Sequence, residues 1–274
     1  MERKPVVAGF FYPSNLQELK RVVRDFYGES FKVNGNTLIP PIGIIVPHAG
    51  YIYSGETAAK AFKKVFERGV VKRVFLLGPN HTGMGLPISI FPEGSWETPF
   101  GKVQVDGEIS KYISKALNIP NDEIGHLQEH SLEVQLPFIQ YVMDNNFKII
   151  PICMMDQSNS AAKKIGQVLR EIISDGDLIV ASSDMNHYES HETTLKKDQK
   201  VIEKIKNMDI EGIYDTIKTY KITMCGYGPI STLLYMGFND IEIIEHVTSG
   251  ERSGDFESVV GYMSAILTSV KNIK

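Results

Sequence analysis

Four short runs of mainly apolar and β-branched side chains, Ile42–Val46, Arg73–Leu77, Phe147–Cys153 and Leu178–Ala181, alternate along the chain with stretches of helical periodicity. A run that is apolar at successive positions suits a strand covered on both faces, and strands separated by helices are joined by crossovers that leave neighbours parallel. The helical stretches fall at about 14–27, 54–67, 108–117, 131–143 and 160–173, where apolar residues recur at three- and four-residue intervals. Ser14 with Gln17 gives the first of them a capping-box start, followed by Leu16, Leu19, Val22, Val23 and Phe26 on one face. Further helices are predicted near 192–206, 209–219 and 226–236, with strands at Ile241–Val247 and Val259–Ile266 extending the sheet. The fold class is therefore α/β, with a central mostly parallel sheet flanked by helices. No repeat, low-complexity tract or linker divides the chain, so residues 1–274 are expected to form a single domain.

Composition excludes several partners. Lys and Arg total 29 against 33 Asp and Glu, a formal charge of −4 that offers nucleic acid no attractive field. The pair Lys196–Lys197 reads as the wet face of a helix. No apolar run approaches the roughly 20 residues that span a bilayer, and the start MERKPVVAGFFYP lacks the apolar stretch of a secretion signal. Two cysteines cannot build a disulfide framework. A soluble protein of a reducing cytoplasm is the expectation, with neither membrane nor nucleic acid as partner.

The polar residues that follow the strands carry the chemistry. Ile42–Val46 runs into Pro47-His48-Ala49-Gly50, Arg73–Leu77 into Gly78-Pro79-Asn80-His81, and Leu178–Ala181 into Ser182-Ser183-Asp184-Met185-Asn186-His187. Open α/β sheets bind ligands outside the carboxyl ends of their strands, so three such loops are expected to converge. Any one of these histidines alone reads as a hydrogen-bonded loop or core residue; three at strand ends together read as ligands and pocket groups. Asp184, three residues before His187, is the expected orienting partner of that histidine. Cys225 precedes a helical pattern at Leu233, Leu234 and Met236, where the helix dipole favours a thiolate. Cys153 lies within Ile149-Ile150-Pro151-Ile152-Cys153-Met154 and reads as a buried apolar residue. His130 opens the helix of Leu132, Leu136, Ile139 and Val142, either as a pocket acid or base or as a helix-start residue facing solvent. His126, His191 and His246 default to structural roles. Glu93-Gly94 through Gly101-Lys102 has the wrong spacing for a phosphate loop, and neither GxSxG nor HExxH occurs.

Taken in order, Val7-Ala8-Gly9 with Phe11-Tyr12-Pro13, Pro47-His48-Ala49-Gly50-Tyr51, Gly78-Pro79-Asn80-His81, Glu129-His130-Ser131-Leu132-Glu133, Ser182 to His187, and Cys225-Gly226 with Pro229-Ile230 make the chain resemble the Memo family over nearly its whole length. The resemblance implies a fold similar to class III extradiol (LigB-type) ring-cleaving dioxygenases, whose non-haem iron is held by two histidines and a glutamate. It matches His48 and His81 to the two histidine ligands and Cys225 to the third-ligand region, with His187, His130 and Asp184 as catalytic pocket groups. Thiolate in place of carboxylate alters softness and redox preference, which counts against ring cleavage. Three functions follow. The first is an oxidoreductase using Fe(II) foremost, or copper; the second is a Zn(II)-dependent hydrolase. The third is a binding module for a phosphotyrosine-type peptide, with Tyr12, Tyr51, Tyr53 and Trp96 as aromatic walls. A small-molecule or peptide ligand in the strand-end cleft, and protein partners that modify or mature a substrate with it, are the expected associations.

Overall fold

A computed structural model of the chain describes residues 1–270, so the last four positions of the expected 1–274 domain lie outside the described residues. The strands are β1 (Glu2–Arg3), β2 (Ile42–Val46), β3 (Arg73–Pro79), β4 (Ile88–Ile90), β5 (Gly94–Thr98), β6 (Gly101–Val105), β7 (Lys148–Met154), β8 (Asp177–Ser182), β9 (His187–Glu189), β10 (Phe238–Thr248) and β11 (Val259–Val270). The helices are α1 (Leu16–Tyr27), α2 (Glu56–Phe66), α3 (Gly107–Leu117), α4 (Leu136–Met143), α5 (Asn159–Ile172), α6 (His191–Lys206), α7 (Ile210–Tyr220), α8 (Tyr227–Tyr235) and the single turn α9 (Gly250–Ser253).

All strands join one sheet in the order β1-β5-β6-β7-β3-β8-β2-β11-β10, with β4 on β7 and β9 on β11. From β6 to β2 every pairing is parallel, as the apolar runs and their helical connections predict for β7, β3, β8 and β2, and β11 and β10 extend the far flank antiparallel. Side-chain period explains the double burial. Ile44, Val46, Val74, Leu76, Leu178 and Val180 point into one core with α1, α2 and α4, while Ile45, Phe75, Leu77, Ile179 and Ala181 point into the other with α5, α6 and α8. Among the described residues no helix is long and apolar enough to cross a membrane.

Some local expectations give way. The cap of α1 is Asn15 rather than Ser14: its side chain accepts the amides of Gln17 and Glu18, which an Asx side chain reaches without a box. The helix expected from 54 starts as a wide π turn, Tyr51–Gly55, before α2, and the one expected from 131 opens as a 3-10 turn, Glu133–Gln135, before α4. Residues 94–105, noted above only as a failed phosphate loop, form the β5–β6 hairpin, with Gly94 and Gly101 supplying the positive φ values of 117° and 110°.

Candidate metal centre

Register decides where the site falls. Ile42–Val46 pairs with Leu178–Ser182, and Arg73–Leu77 with Asp177–Ala181, all parallel, so three adjacent strands leave the sheet at the same edge. His48 and Asp184 each lie two residues past the ends of β2 and β8, and His81 two past the end of β3. The rings of His48 and His81 meet edge to face with centroids 5.1 Å apart. Cys225 comes from the segment before α8 and is sewn to the β8 exit in both directions. Its amide donates to Asp184 O at 3.3 Å, and the Asp184 amide donates to its sulfur at 3.2 Å. Gly226 permits this approach, since a Cβ there would stand 2.3 Å from Ser182 O and 2.6 Å from Ser183 Cβ. Candidate donor atoms of His48, His81 and Cys225 all fall within 4.8 Å of one another.

His48 and His81 are each tied by Nδ1, leaving Nε2 for the centre. His48 Nδ1 is 2.8 Å from Ser182 Oγ, and its Nε2 is 3.2 Å from Cys225 Sγ. His81 Nδ1 is 2.9 Å from Glu129 Oε1, while its backbone N–H donates to Glu129 Oε2. Burial opposes charge on Glu129, but the hydrogen bond and charge of His81 prevail and hold the carboxyl at about 2, so Glu129 is an acceptor and His81 Nδ1 the donor. Desolvation works against the His81 cation, yet Glu129 raises its pKa above the ordinary value. His48, buried among three other histidines, is pushed well below it. A carboxylate backing one imidazole, free Nε2 atoms and a sulfur within reach fit a borderline or soft divalent ion.

His81, Glu129 and His130 form a second group of facing donors. Glu129, however, already accepts the amides of His130 and Ser131 at 2.9 and 2.8 Å besides both His81 contacts, and so serves as a support rather than a ligand. His130 stacks on His81 with centroids 4.7 Å apart, and burial lowers its pKa.

His48, His81, His130, Asp184 and His187 line one cleft of about 620 Å3. His187 Nδ1 is buried there without a hydrogen-bond partner. Three expectations are corrected. Asp184 does not hold the His187 ring: its Oδ1 accepts the His48 amide at 2.8 Å, because the β8 exit turns toward β2 rather than along its own loop. Burial lifts the Asp184 carboxyl to about 6. Nor is the Cys225 thiol lowered by its helix: desolvation and the neighbouring Asp184 push it well above the usual range, and only a bound cation would make it a thiolate. Trp96 is not a cleft wall either. It lies 1% exposed beneath the Arg3 guanidinium, 4.1 Å from ring centroid to Cζ. Cys153 is fully buried in the sheet, as its apolar surroundings predict.

Roles for Glu129, Ser182 and Gln135 escaped the sequence reading, although the first two stand within quoted motifs. So did the clamp beneath them. Buried Arg3 donates to Glu133, His126 O and Glu129 O at 2.7, 2.7 and 2.6 Å, and Glu133 also takes the Val6 and Val7 amides and the Tyr12 hydroxyl. That cluster fixes the backbone of the Glu129–His130 turn. A buried Arg answered by a Glu at the foot of a helix was its only signal.

Comparison with known proteins agrees with this architecture. A solved structure of an uncharacterized protein from Escherichia coli K12 superposes with a TM-score of 0.57 at 12% identity, covering 83% of this chain and 99% of that one, a likeness of fold alone. MEMO1 family proteins of Thermotoga neapolitana and Saccharolobus solfataricus are 45% and 43% identical over 98% and 97% of this chain and 100% and 99% of their own lengths. The model of the Memo-like protein family matches residues 3–266. With strand-end loops, histidines and Cys225 all inside that span, the chain belongs to the Memo family.

Proposed function

We propose that this protein is a metal-dependent oxidoreductase whose ion is held by His48, His81 and Cys225. The observation that carries the reading is the pairing of two inward Nε2 atoms with a sulfur 3.2 Å from one of them, each imidazole being tied at Nδ1. Fe(II) bound by this set, or copper, would supply one-electron redox chemistry, whereas Zn(II) would supply Lewis acidity. The protein's own groups do the rest. Glu129 keeps His81 oriented and electron-rich. His187, with its unpartnered Nδ1, is the base that takes a proton from a ligand in the cleft. His130 stands over the His81 face to hydrogen-bond that ligand, and Asp184 fixes the backbone of His48. The thiolate in place of a carboxylate argues for a reaction other than the ring cleavage of LigB-type enzymes.

The test is metal content after anaerobic preparation. Native protein should retain close to one Fe per chain and Cys225→Ser far less; equal and negligible metal in both would end the proposal. A second reading is favoured by a groove of about 670 Å3 beside the cleft, which contains Tyr12 and Tyr51 and shares Phe10, Phe11, Ile52 and Tyr53 with it. A peptide-binding module would use that groove without turnover. Phosphotyrosine-peptide affinity unchanged by chelator, with no turnover of any kind, would favour the module.

A further inference from the structure

Ser182 sits with no exposed surface at the end of β8, and three groups converge on its hydroxyl. A serine hydroxyl has one hydrogen and two lone pairs. Ser131 O, which can only accept, lies 2.7 Å away and claims the hydrogen. Gln135 Nε2, which can only donate, lies 3.0 Å away and takes one lone pair. The Gln135 amide cannot be turned over, because the same Nε2 donates to Pro47 O at 2.9 Å, and reversal would set two oxygens against each other. One lone pair is left, and His48 Nδ1 is 2.8 Å from it. Were His48 bare at Nδ1, two lone pairs would face each other at 2.8 Å, too close for a water to stand between them.

We infer that Ser182, with its rotor locked by Ser131 O and Gln135, is a positioning residue that fixes His48 as the Nδ1–H tautomer and so presents a bare Nε2 to Cys225. The two imidazoles are thereby prepared by different means, His81 by an anion and His48 by a neutral hydroxyl whose direction is set from the opposite side. Pro47 ties this to the backbone, since Gln135 grips the carbonyl next to His48 while reaching Ser182. The purpose assigned to the bare Nε2 rests on the metal centre proposed above; the tautomer itself does not.

The experiment is nitrogen-15 NMR of histidine-labelled, metal-free protein at a pH where His48 is neutral, with its resonances assigned by their loss in His48→Gln. Native protein is expected to show a protonated Nδ1 and a bare Nε2. Ser182→Ala should shift His48 toward the Nε2–H form, and Ser182→Thr, which restores a hydroxyl, should bring Nδ1–H back. Chelator competition with Zn2+ as probe should show about 10- to 100-fold weaker binding by Ser182→Ala, the usual consequence of losing an outer hydrogen-bond partner. A bare Nδ1 in the native protein, or an unaltered tautomer in Ser182→Ala, overturns the inference. A native protein with the expected tautomer but no Zn2+ affinity would instead remove the metal reading and leave the tautomer assignment standing.

Discussion

Glu129→Gln is nearly isosteric and isolates what the charge behind His81 contributes. Oε1 accepts His81 Nδ1 and the amides of His130 and Ser131, whereas Oε2 accepts the His81 amide. The new amide nitrogen will therefore take the Oε2 position, where it spoils one contact instead of three. There it meets the His81 N–H donor to donor, and one buried hydrogen bond unmade costs about 1–3 kcal/mol. The contact to His81 Nδ1 survives but loses its charge assistance, worth about 1 kcal/mol more. The metal-free variant should lose about 2–4 kcal/mol of stability by chemical denaturation. It should bind Zn2+ about 10- to 100-fold more weakly in chelator competition, because His81 becomes the poorer donor. Affinity within threefold of native in a folded variant would refute the claim that Glu129 tunes His81.

The proton side of the same pair gives a signed pH effect. His81 is raised above its unfolded value of 6.5, so its pairing with Glu129 stabilises the metal-free protein fully below that pH and is lost as pH rises through the folded value. Metal needs the neutral ring, so Zn2+ affinity should keep climbing above pH 6.5, and in Glu129→Gln the climb should move to lower pH; titrations at several pH values check both. Glu129 itself, held at about 2 against 4.5, contributes stability present above 4.5 and lost as pH falls toward 2, visible as a steeper acid limb in native protein than in Glu129→Gln. Cys225 enters the metal-free state as a thiol, and calorimetry of Zn2+ binding at pH 8 in buffers of different ionisation enthalpy should report about one proton more released by native protein than by Cys225→Ser. Arg3→Met strands the buried Glu133 carboxylate and should cost about 3–5 kcal/mol, lowering Tm by on the order of 10 °C; a change under about 1 kcal/mol would show the clamp to be dispensable. Gly226→Ala drives a Cβ into Ser182 O and should weaken Zn2+ binding far more than Ser182→Thr does, as chelator competition will show.

Much of the architecture could be read from residue order because each of its signals is local. Ile42–Val46 and Leu178–Ala181 are apolar at successive positions, and the cores on the two faces of the sheet divide them by parity. The β5–β6 hairpin was missed because its glycines look alike whether they bend a hairpin or cradle a phosphate. At the site, histidines at strand ends were legible from position. Cys225 was less so: it stands 177 residues from the histidine it approaches, and beyond its place ahead of a helix it was chiefly the family pattern that pointed to it. The partner of Asp184 was misjudged for the same kind of reason, since nearness in sequence suggested His187 while the chain turned the carboxylate to the His48 amide, 136 residues away. Side-chain choice among long-range partners depends on how loops leave the sheet, and no periodicity encodes that.

The sheet order β3-β8-β2 puts one strand between the two that carry the histidines. Strands lie ~4.8 Å apart, so the bases of the His48 and His81 loops are separated by roughly 10 Å, too far for a shared ion unless both loops lean over β8. The exit of β8 is the floor beneath the His48 loop: Ser182 touches the His48 ring, and Asp184 holds the His48 amide and both the amide and the sulfur of Cys225. Spacing across the site is a property of that tripeptide more than of any ligand. Relatives that change the chemistry while keeping the fold would be expected to do so by altering Ser182–Asp184, where one substitution moves His48 and the thiol together.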